Sequence, residues 1–219
     1  MKKIEIACFN SESALIAQES GANRIEFCAN IKEGGTTPDF DSTKKIRQEI
    51  SIDLYVMIRP RGGNFTYSDT EFQQMKTEIQ QFKELGVNGF VFGILKEDKS
   101  INIEQNSELV ELARPLPCTF HRAFDQVQEV LPSLEQVIQC GFSTILTSGT
   151  MSNVVEGISV LKQLVEKANN RITIMPGGGL RSTNVDLIEQ QTNAGFYHSS
   201  AITDGSETAN SNEVKALKS

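Results

Sequence analysis

The chain has 219 residues, 38% of them hydrophobic and 22% charged, and a formal net charge of −7. This length and composition are typical of a soluble globular protein with one large domain or two small ones. The acidic balance argues against a nucleic-acid partner or an anionic membrane, because either needs a basic face, although it allows a local basic pocket. Glu5 interrupts the short apolar run near the amino terminus, so no secretory or transmembrane segment is predicted.

Strand-like and helix-like segments alternate along the whole chain. The strands are predicted at 3–8, 24–28, 52–59, 89–94, 118–120, 144–147, 172–175 and 196–199. The helices are predicted at 11–21, 41–49, 69–85, 103–113, 127–140, 153–168 and 183–191, with Asp125 opening the one that follows the fifth strand. This alternation predicts an α/β protein with a single (β/α)8 TIM barrel rather than an open doubly wound sheet.

The carboxyl-terminal end differs from the rest of the chain. Residues 1–201 are predicted to form the barrel domain, and residues 202–219 a short polar tail. The tail offers only a short helix at 212–217, so the last helix of the barrel is expected to be short or incomplete.

Strand parity predicts which side chains face the barrel interior. Apolar residues such as Ile4, Ile6, Ile25 and Phe27 alternate along the first two strands and should face the helices, which turns the intervening residues inward. The predicted interior comprises Glu5, Ala7, Arg24, Glu26, Cys28, Tyr55, Met57, Arg59, Thr119, His121 and His198.

The ionisable members of this set allow two interpretations. They form either a structural ion-pair network or a functional site at the carboxyl ends of the strands, where such barrels carry their chemistry. Under the functional interpretation, the candidate acid/base residues are Glu5, Glu26 and His121. Arg59, together with Arg61 at the rim, would then clamp an anion.

Glycine-rich loops follow several strands. After the seventh strand come Gly177, Gly178 and Gly179, and Ser199 closes the eighth; such loops bind phosphate in many barrels through backbone N–H groups. The pairs at 34–35 and 62–63 lie beside charged residues and are candidate lid or clamp loops. Each of these glycine runs is also compatible with a plain turn.

The cysteines suggest a third kind of site. There are four of them, with no C-x-x-C pair, which indicates a reducing cytoplasm rather than a disulfide framework. Cys28 faces inward near His121, a donor pair suited to Cu(I) or Zn(II), and Cys8 ends the neighbouring strand. Buried thiols without a ligand are the alternative.

Several motifs together closely resemble the CutC family, which is named for copper homeostasis. They are the segments 24–28 (RIEFC), 33–38 (EGGTTP), 57–63 (MIRPRGG), 119–125 (TFHRAFD), 146–149 (LTSG), 175–179 (MPGGG) and 198–200 (HSS). The resemblance implies a cytosolic, commonly oligomeric (β/α)8 barrel that binds Cu(I) through cysteine. Cys28 matches one ligand cysteine of the family; the other falls on Ala7 here, with Cys8 next to it.

Two functional hypotheses therefore stand. The first is a cytosolic copper-homeostasis protein that binds Cu(I) through Cys28 and Cys8, and the second is an enzyme that acts on a phosphorylated or carboxylated small metabolite. A dedicated copper carrier has no evident need for two arginines and an anion-binding loop, whereas an enzyme does. The expected partners are a copper ion or a small anionic metabolite, without nucleic acid or membrane, in a homo-oligomer.

Overall fold

The computed structural model describes residues 2–219, in which eight parallel strands alternate with eight α-helices. The strands are β1 Lys3–Cys8, β2 Arg24–Phe27, β3 Asp53–Met57, β4 Gly89–Phe92, β5 Cys118–Phe120, β6 Thr144–Thr147, β7 Thr173–Pro176 and β8 Phe196–Ser199. The helices are α1 Ser11–Glu19, α2 Phe40–Glu49, α3 Asp69–Glu84, α4 Ile103–Ala113, α5 Val130–Cys140, α6 Ile158–Ala168, α7 Val185–Thr192 and α8 Ser211–Lys218.

The strands form one nearly closed barrel. Each pairs in parallel with its sequence neighbour from β1 to β7, β1 also pairs with β8, and β7 lies against β8. The (β/α)8 prediction is therefore confirmed. Parallel strands need a crossover connection, and here helices supply it and cover the outer face of the sheet.

Side chains alternate between two cores, as the strand parity predicts. The larger core lies between the sheet and the helices and contains residues such as Ile4, Ile6 and Phe120. A smaller apolar cluster of Cys28, Tyr55, Met57 and Val91 lies inside the barrel. Because both faces of each strand are buried, polar residues that point inward must find partners within the barrel.

Helices α5, α6 and α7 begin later than predicted, and for α5 and α6 a tertiary or local bond engages the expected capping residue. Asp125 does not open α5; it lies in a 3₁₀ helix, Arg122–Gln126, and its carboxylate accepts hydrogen bonds from Thr147 and Ser148. The Asn153 side chain caps a turn by accepting hydrogen bonds from the backbone N–H groups of Val155 and Glu156. Helix α6 begins only at Ile158.

The last helix, α8, is short, as predicted, with eight residues. Its side chains Val214 and Leu217 are fully buried, and the helix packs against α1 and β1. Asn10 also donates a hydrogen bond to the carbonyl of Glu207 in the segment that leads to α8. Within residues 2–219, no helix has the length and apolarity to cross a membrane.

Candidate functional site

A cavity of about 220 Å³ opens at the carboxyl ends of the strands. Charged or ionisable side chains from five segments of the chain border it: Glu26, Arg59, His121, Arg122, Arg181 and His198. Its apolar and backbone wall includes Ala7, Phe9, Cys28, Met57, Phe65, Leu146, Gly178, Gly179 and Leu180. This is the mouth at which such barrels place their chemistry.

Three neighbouring strands bring a buried charge network to the floor of this cavity. The register pairs Glu5 of β1 with Arg24 of β2 on one side and with His198 of β8 on the other. Glu5 accepts a hydrogen bond from Arg24 Nε and, at 2.7 Å, one from His198 Nδ1. Glu26 lies two residues beyond Arg24, with its Oε2 3.7 Å from His198 Nε2. Glu26 Oε1 is buried and, within residues 2–219, has no hydrogen-bond partner.

The two buried carboxyls have opposite ionisation behaviour. Burial opposes ionisation of Glu5, but the charge of Arg24 and the hydrogen bond from His198 outweigh it and lower the pKa to about 2. Burial raises the pKa of Glu26 to about 7, and the charge of His198 offsets this only in part. Burial also disfavours the His198 imidazolium, yet Glu26 and Glu5 raise its pKa above the ordinary value of 6.5. Such a split marks groups suited to separate acid/base roles.

His121 lies across the cavity in a different environment. Burial, and after it the charge of Arg59, lowers its pKa to about 3, so the ring is neutral. The backbone N–H of Ala123 donates to Nδ1 at 3.3 Å, which places the ring proton on Nε2. Nε2 is buried without a partner among the described residues, and the ring packs on Phe65 with centroids 4.8 Å apart. His121 therefore offers the cavity a free hydrogen-bond donor.

Arg59 fastens two glycine-rich loops to each other. Its Nη1 donates to the carbonyls of Glu33 and Gly35, both at 2.7 Å, and its Nη2 donates to Gly63 at 3.0 Å. The Glu33 carboxylate accepts from the N–H of Gly62 at 2.8 Å and closes the same junction. The predicted lid loops thus meet over the barrel. Arg59 lies in the cavity wall, and no carboxylate among residues 2–219 forms a salt bridge with it.

Arg61 points away from the cavity. Its Nε donates to Glu71 at 2.6 Å, and its Nη atoms donate to the carbonyls of Gly62, Asn64 and Thr66. These bonds hold the loop after β3 against the start of α3. The predicted pair of anion-clamping arginines is therefore not brought together at the cavity.

The loop after β7 lies as predicted at the mouth. Gly178 and Gly179 border the cavity with positive φ angles of 101° and 72°, while Gly177 packs beneath against His198. Ser199 also borders the cavity, and its hydroxyl donates to the Leu180 carbonyl at 2.8 Å. The backbone N–H groups of Gly178, Gly179, Leu180 and Ser200 donate no hydrogen bond to any of the described residues 2–219.

The two cysteines predicted as metal ligands lie in different cores. Cys28 borders the cavity, whereas Cys8 is fully buried between the sheet and the helices and donates to the Ile6 carbonyl. Burial raises the pKa of both thiols well above its ordinary value, so both are protonated. In the part of the chain that the structure describes, no three His, Cys, Asp or Glu side chains are grouped so as to hold a metal ion.

Three charged or ionisable residues in or beneath the cavity have no assigned role in the sequence prediction. Arg24 was placed inside the barrel without a partner, although its spacing of two from Glu26 puts both on one face of β2. His198 is predicted only as an interior residue, and the structure places it between two carboxyls. Arg122 follows His121 in the sequence, and nothing in its local pattern indicates that it reaches the loop after β7.

Comparisons with known proteins agree with this architecture. The model of the CutC family matches residues 2–203. The copper homeostasis protein cutC homolog of Mus musculus is 45% identical over 198 residues, which are 90% of this chain and 73% of that protein. The Homo sapiens homolog is 44% identical over 198 residues, 90% of this chain and 72% of that protein.

Solved structures give the same assignment. The copper homeostasis protein CutC from Streptococcus agalactiae superposes with a TM-score of 0.88 at 37% identity, covering 93% of this chain and 100% of that one. Phosphoribosyl anthranilate isomerase from Thermotoga maritima, at 15% identity and a TM-score of 0.64 over 100% and 97% of the two chains, shares the fold alone. The chain belongs to the CutC family.

Proposed function

We propose that the mouth of the barrel binds a small anionic metabolite and transfers a proton on it, with Glu26 and His198 as the acid/base pair. The observation that carries the proposal is the split ionisation of Glu5 and Glu26 across His198. A general acid or base is most effective when its pKa lies near the working pH, as it does for Glu26 at about 7. Glu5 stays ionised and holds the imidazole in place.

The charge around the cavity supports an anionic ligand. The whole chain carries a net charge of −7, yet the cavity wall contains the guanidinium groups of Arg59, Arg122 and Arg181 and a single carboxyl, that of Glu26. A cleft lined mainly by one sign of charge concentrates ligands of the opposite sign. The proposed ligand is therefore a phosphorylated or carboxylated small molecule.

The neutral His121 complements the acid/base pair. In this proposal its Nε2–H donates to a substrate oxygen on which negative charge develops, an electrostatic role rather than a proton transfer. Arg59 holds the two loops over the cavity and adds positive charge. Arg61 has no contact with the ligand in this arrangement, because its donors are engaged by Glu71 and backbone carbonyls.

The test begins with a panel of phosphorylated and carboxylated metabolites. A ligand present at a hundred times its Kd should stabilise the folded protein by about 2.7 kcal/mol, which a melting-temperature screen detects. Compounds that bind are then incubated in D₂O, and proton NMR follows both conversion and exchange of carbon-bound hydrogen.

Glu26→Gln should abolish conversion and exchange while the ligand still binds. The matched control is Glu78→Gln, because Glu78 is a half-buried carboxyl whose pKa is also raised by burial but which lies outside the cavity. Turnover at the wild-type rate by Glu26→Gln, or a panel without any ligand, would overturn the proposal.

A second candidate function, Cu(I) binding, is favoured by one specific observation. Two sulfur side chains, Cys28 and Met57, border the same cavity as His121. They are close together, because a Cβ at Gly35 would lie 3.4 Å from Met57 Cε and 3.7 Å from Cys28 Sγ. Thiolate, thioether and imidazole donors suit Cu(I), provided that the Cys28 thiol loses its proton on binding. Cys8, in the outer core, would take no direct part.

Anaerobic titration of Cu(I) against a competing chelator distinguishes these cysteines. Cys28→Ser should weaken binding strongly, whereas Cys8→Ser and the outer-core variant Cys118→Ser should bind as the wild type does. Equal affinity of Cys28→Ser and wild type would exclude this site. Loss of affinity in both Cys28→Ser and Cys8→Ser, but not in Cys118→Ser, would instead support the ligand pair predicted from the sequence.

We further propose a cytosolic location and a homo-oligomeric state. All four cysteines are buried and free, which suits a reducing compartment. Large exposed apolar side chains are available for subunit contacts: Phe40, Leu131, Met151, Val155 and Leu187. Light scattering on the purified chain tests the oligomeric state, and a monomeric mass at micromolar concentration would contradict it.

A further inference from the structure

Four arginines surround the mouth of the barrel, and one of them differs from the other three in its bonding. Arg59, Arg61 and Arg181 donate to backbone carbonyls and hold loops in place. Arg122 donates to no carbonyl of the described residues; its Nε donates to Asp125 at 2.7 Å and its Nη2 to the Ser148 hydroxyl at 3.2 Å. Within residues 2–219, its Nη1 has no partner.

Asp125 holds this guanidinium in a fixed orientation. While Oδ2 accepts from Arg122, Oδ1 accepts from the Thr147 hydroxyl and, at 2.9 Å, from the N–H of Ser148. The carboxylate therefore ties Arg122 to the end of β6. A guanidinium that is already oriented loses less conformational freedom when it binds an anion. This arrangement leaves Arg122 Nη1 available to a ligand.

The glycine loop after β7 lies directly against this arginine. A Cβ at Gly178 would lie 3.0 Å from Arg122 Cζ and 3.1 Å from Ser148 Cβ, so a side chain there would separate the loop from the guanidinium. The positive φ of 101° at Gly178 also favours glycine. Residues 178–180 and Ser200 border the same cavity, and their backbone N–H groups donate to no group of the described chain.

We infer that this cluster binds the phosphoryl group of a phosphate monoester, with Arg122 as its principal side-chain ligand; the inference rests on the proposed function and specifies its substrate class. Donors approach from three segments: Arg122, the loop after β7 and the loop after β8. A phosphate offers three terminal oxygens to such a set, whereas a carboxylate offers two. Backbone N–H groups of barrel loops commonly bind phosphate in this way.

The rest of the cavity indicates where the remainder of the molecule lies. Glu26 Oε1 and His121 Nε2 are both buried and, among residues 2–219, unpartnered, so the cavity presents an acceptor and a donor to a polar ligand. The cavity of about 220 Å³ is smaller than the roughly 300 Å³ at which drug-sized pockets begin. The ligand is accordingly a short hydroxylated or carbonyl-bearing phosphate ester.

Titration with inorganic phosphate, followed by phosphorus NMR and calorimetry on the full chain, tests this inference without any catalytic step. Wild type should bind phosphate, and Arg122→Gln should bind it at least about tenfold more weakly, since a charge-assisted contact is removed. Arg122→Lys, which keeps the charge but loses the planar fork, should fall between them. The matched control is Arg114→Gln, because Arg114 also pairs with a carboxylate three residues away, Glu111, but on the exposed surface.

Each outcome decides the inference. Equal phosphate affinity in wild type and Arg122→Gln, or no phosphate binding by wild type, overturns it. Tighter binding of acetate than of phosphate, with the same dependence on Arg122, overturns the phosphate class. The acid/base proposal is judged separately, by turnover in Glu26→Gln, so it survives if only the phosphate result is negative. Circular dichroism and urea unfolding of the Arg122 variants confirm that a loss of binding is not a loss of fold.

Discussion

The two sides of the barrel mouth each present one histidine at the end of a strand, and they differ in what surrounds it. On the side of β1, β2 and β8, His198 lies between the carboxyls of Glu5 and Glu26. On the side of β3 to β5, His121 lies beside Arg59 and against the ring of Phe65. Both rings are almost completely buried, at 8% and 3% exposed, so exposure does not distinguish them.

The difference shows that the neighbouring charges, and not the position at the strand end, determine the state of each ring. Burial disfavours the imidazolium in both cases, but carboxylates overcome it at His198, whereas a guanidinium adds to it at His121. One ring is thereby suited to carrying a proton and the other to donating a hydrogen bond. The same logic separates Glu5, which forms a salt bridge with Arg24, from Glu26, to which no arginine within residues 2–219 forms a salt bridge.

The largest expected effect is the separation of the two imidazole pKa values. The pKa of His121 should be near 3 and that of His198 above 6.5. This difference of more than about three pKa units means that protonation is favoured at His198 over His121 by more than about 4 kcal/mol. Heteronuclear NMR of the rings measures this directly, because the chain contains only these two histidines. His121→Gln assigns the signals. Two coincident titrations near pH 6.5 would show that the two sides of the mouth do not differ.

Removal of the shared carboxylate should have the next largest effect. Glu5→Gln leaves the buried Arg24 and His198 without their anionic partner, and loss of one member of a buried pair costs about 3 to 5 kcal/mol. Urea unfolding at pH 7 measures the change. Glu135→Gln, which breaks an exposed pair with Arg171, serves as the control and should change the stability little. A loss in Glu5→Gln no larger than in the control would contradict a buried, ionised network.

Glu26→Gln should change the pH dependence of stability in the opposite sense to Glu5→Gln. The folded-state pKa of Glu26 is raised from 4.5 to about 7, so its stabilising contribution is full below pH 4.5 and is lost as the pH rises through 7. Between pH 4.5 and pH 7 the free energy of unfolding of wild type should fall by on the order of 3 kcal/mol relative to that of Glu26→Gln. The pKa of Glu5 is instead lowered to about 2, so its contribution to stability is lost as the pH falls from 4.5 through 2. Urea unfolding from pH 4 to pH 8 checks the first trend, and parallel curves for wild type and Glu26→Gln would refute it.

The features of the fold and the site that the sequence predicts are those that depend on local patterns along the chain. Alternation along a strand is local, so parity predicts that Glu5, Glu26, Arg59 and His121 face the barrel axis. The structure has Glu5 and Glu26 buried on strands inside the barrel, and Arg59 and His121 just beyond their strands in the wall of the cavity. Parity also indicates that Cys8 faces the helices, since β1 continues regularly to that residue. The fold followed from the number and alternation of such segments.

The chemistry of the site depended on contacts that no local pattern contains. The pKa split between two glutamates requires the register of β1 with β2 and β8, which sets Arg24 and His198 beside Glu5. Asp125 was read as a helix cap because its side chain suits that position, but the end of β6 competes for the same oxygens. Arg61 was read as an anion clamp from its glycine-rich surroundings, and Glu71 of α3 engages it instead.

The smallest expected effect distinguishes Arg61 from the cavity arginines. Arg61→Gln removes a half-exposed ion pair with Glu71 and should cost about 0.5 to 1 kcal/mol after allowance for solvent screening. Because the side chain lies outside the cavity, the affinity for inorganic phosphate should match that of wild type, in contrast to Arg122→Gln. Urea unfolding and phosphate titration on the same samples give both values. A fall in phosphate affinity without a fall in stability would return Arg61 to the binding site, and it would mean that the loop after β3 rearranges when the anion binds.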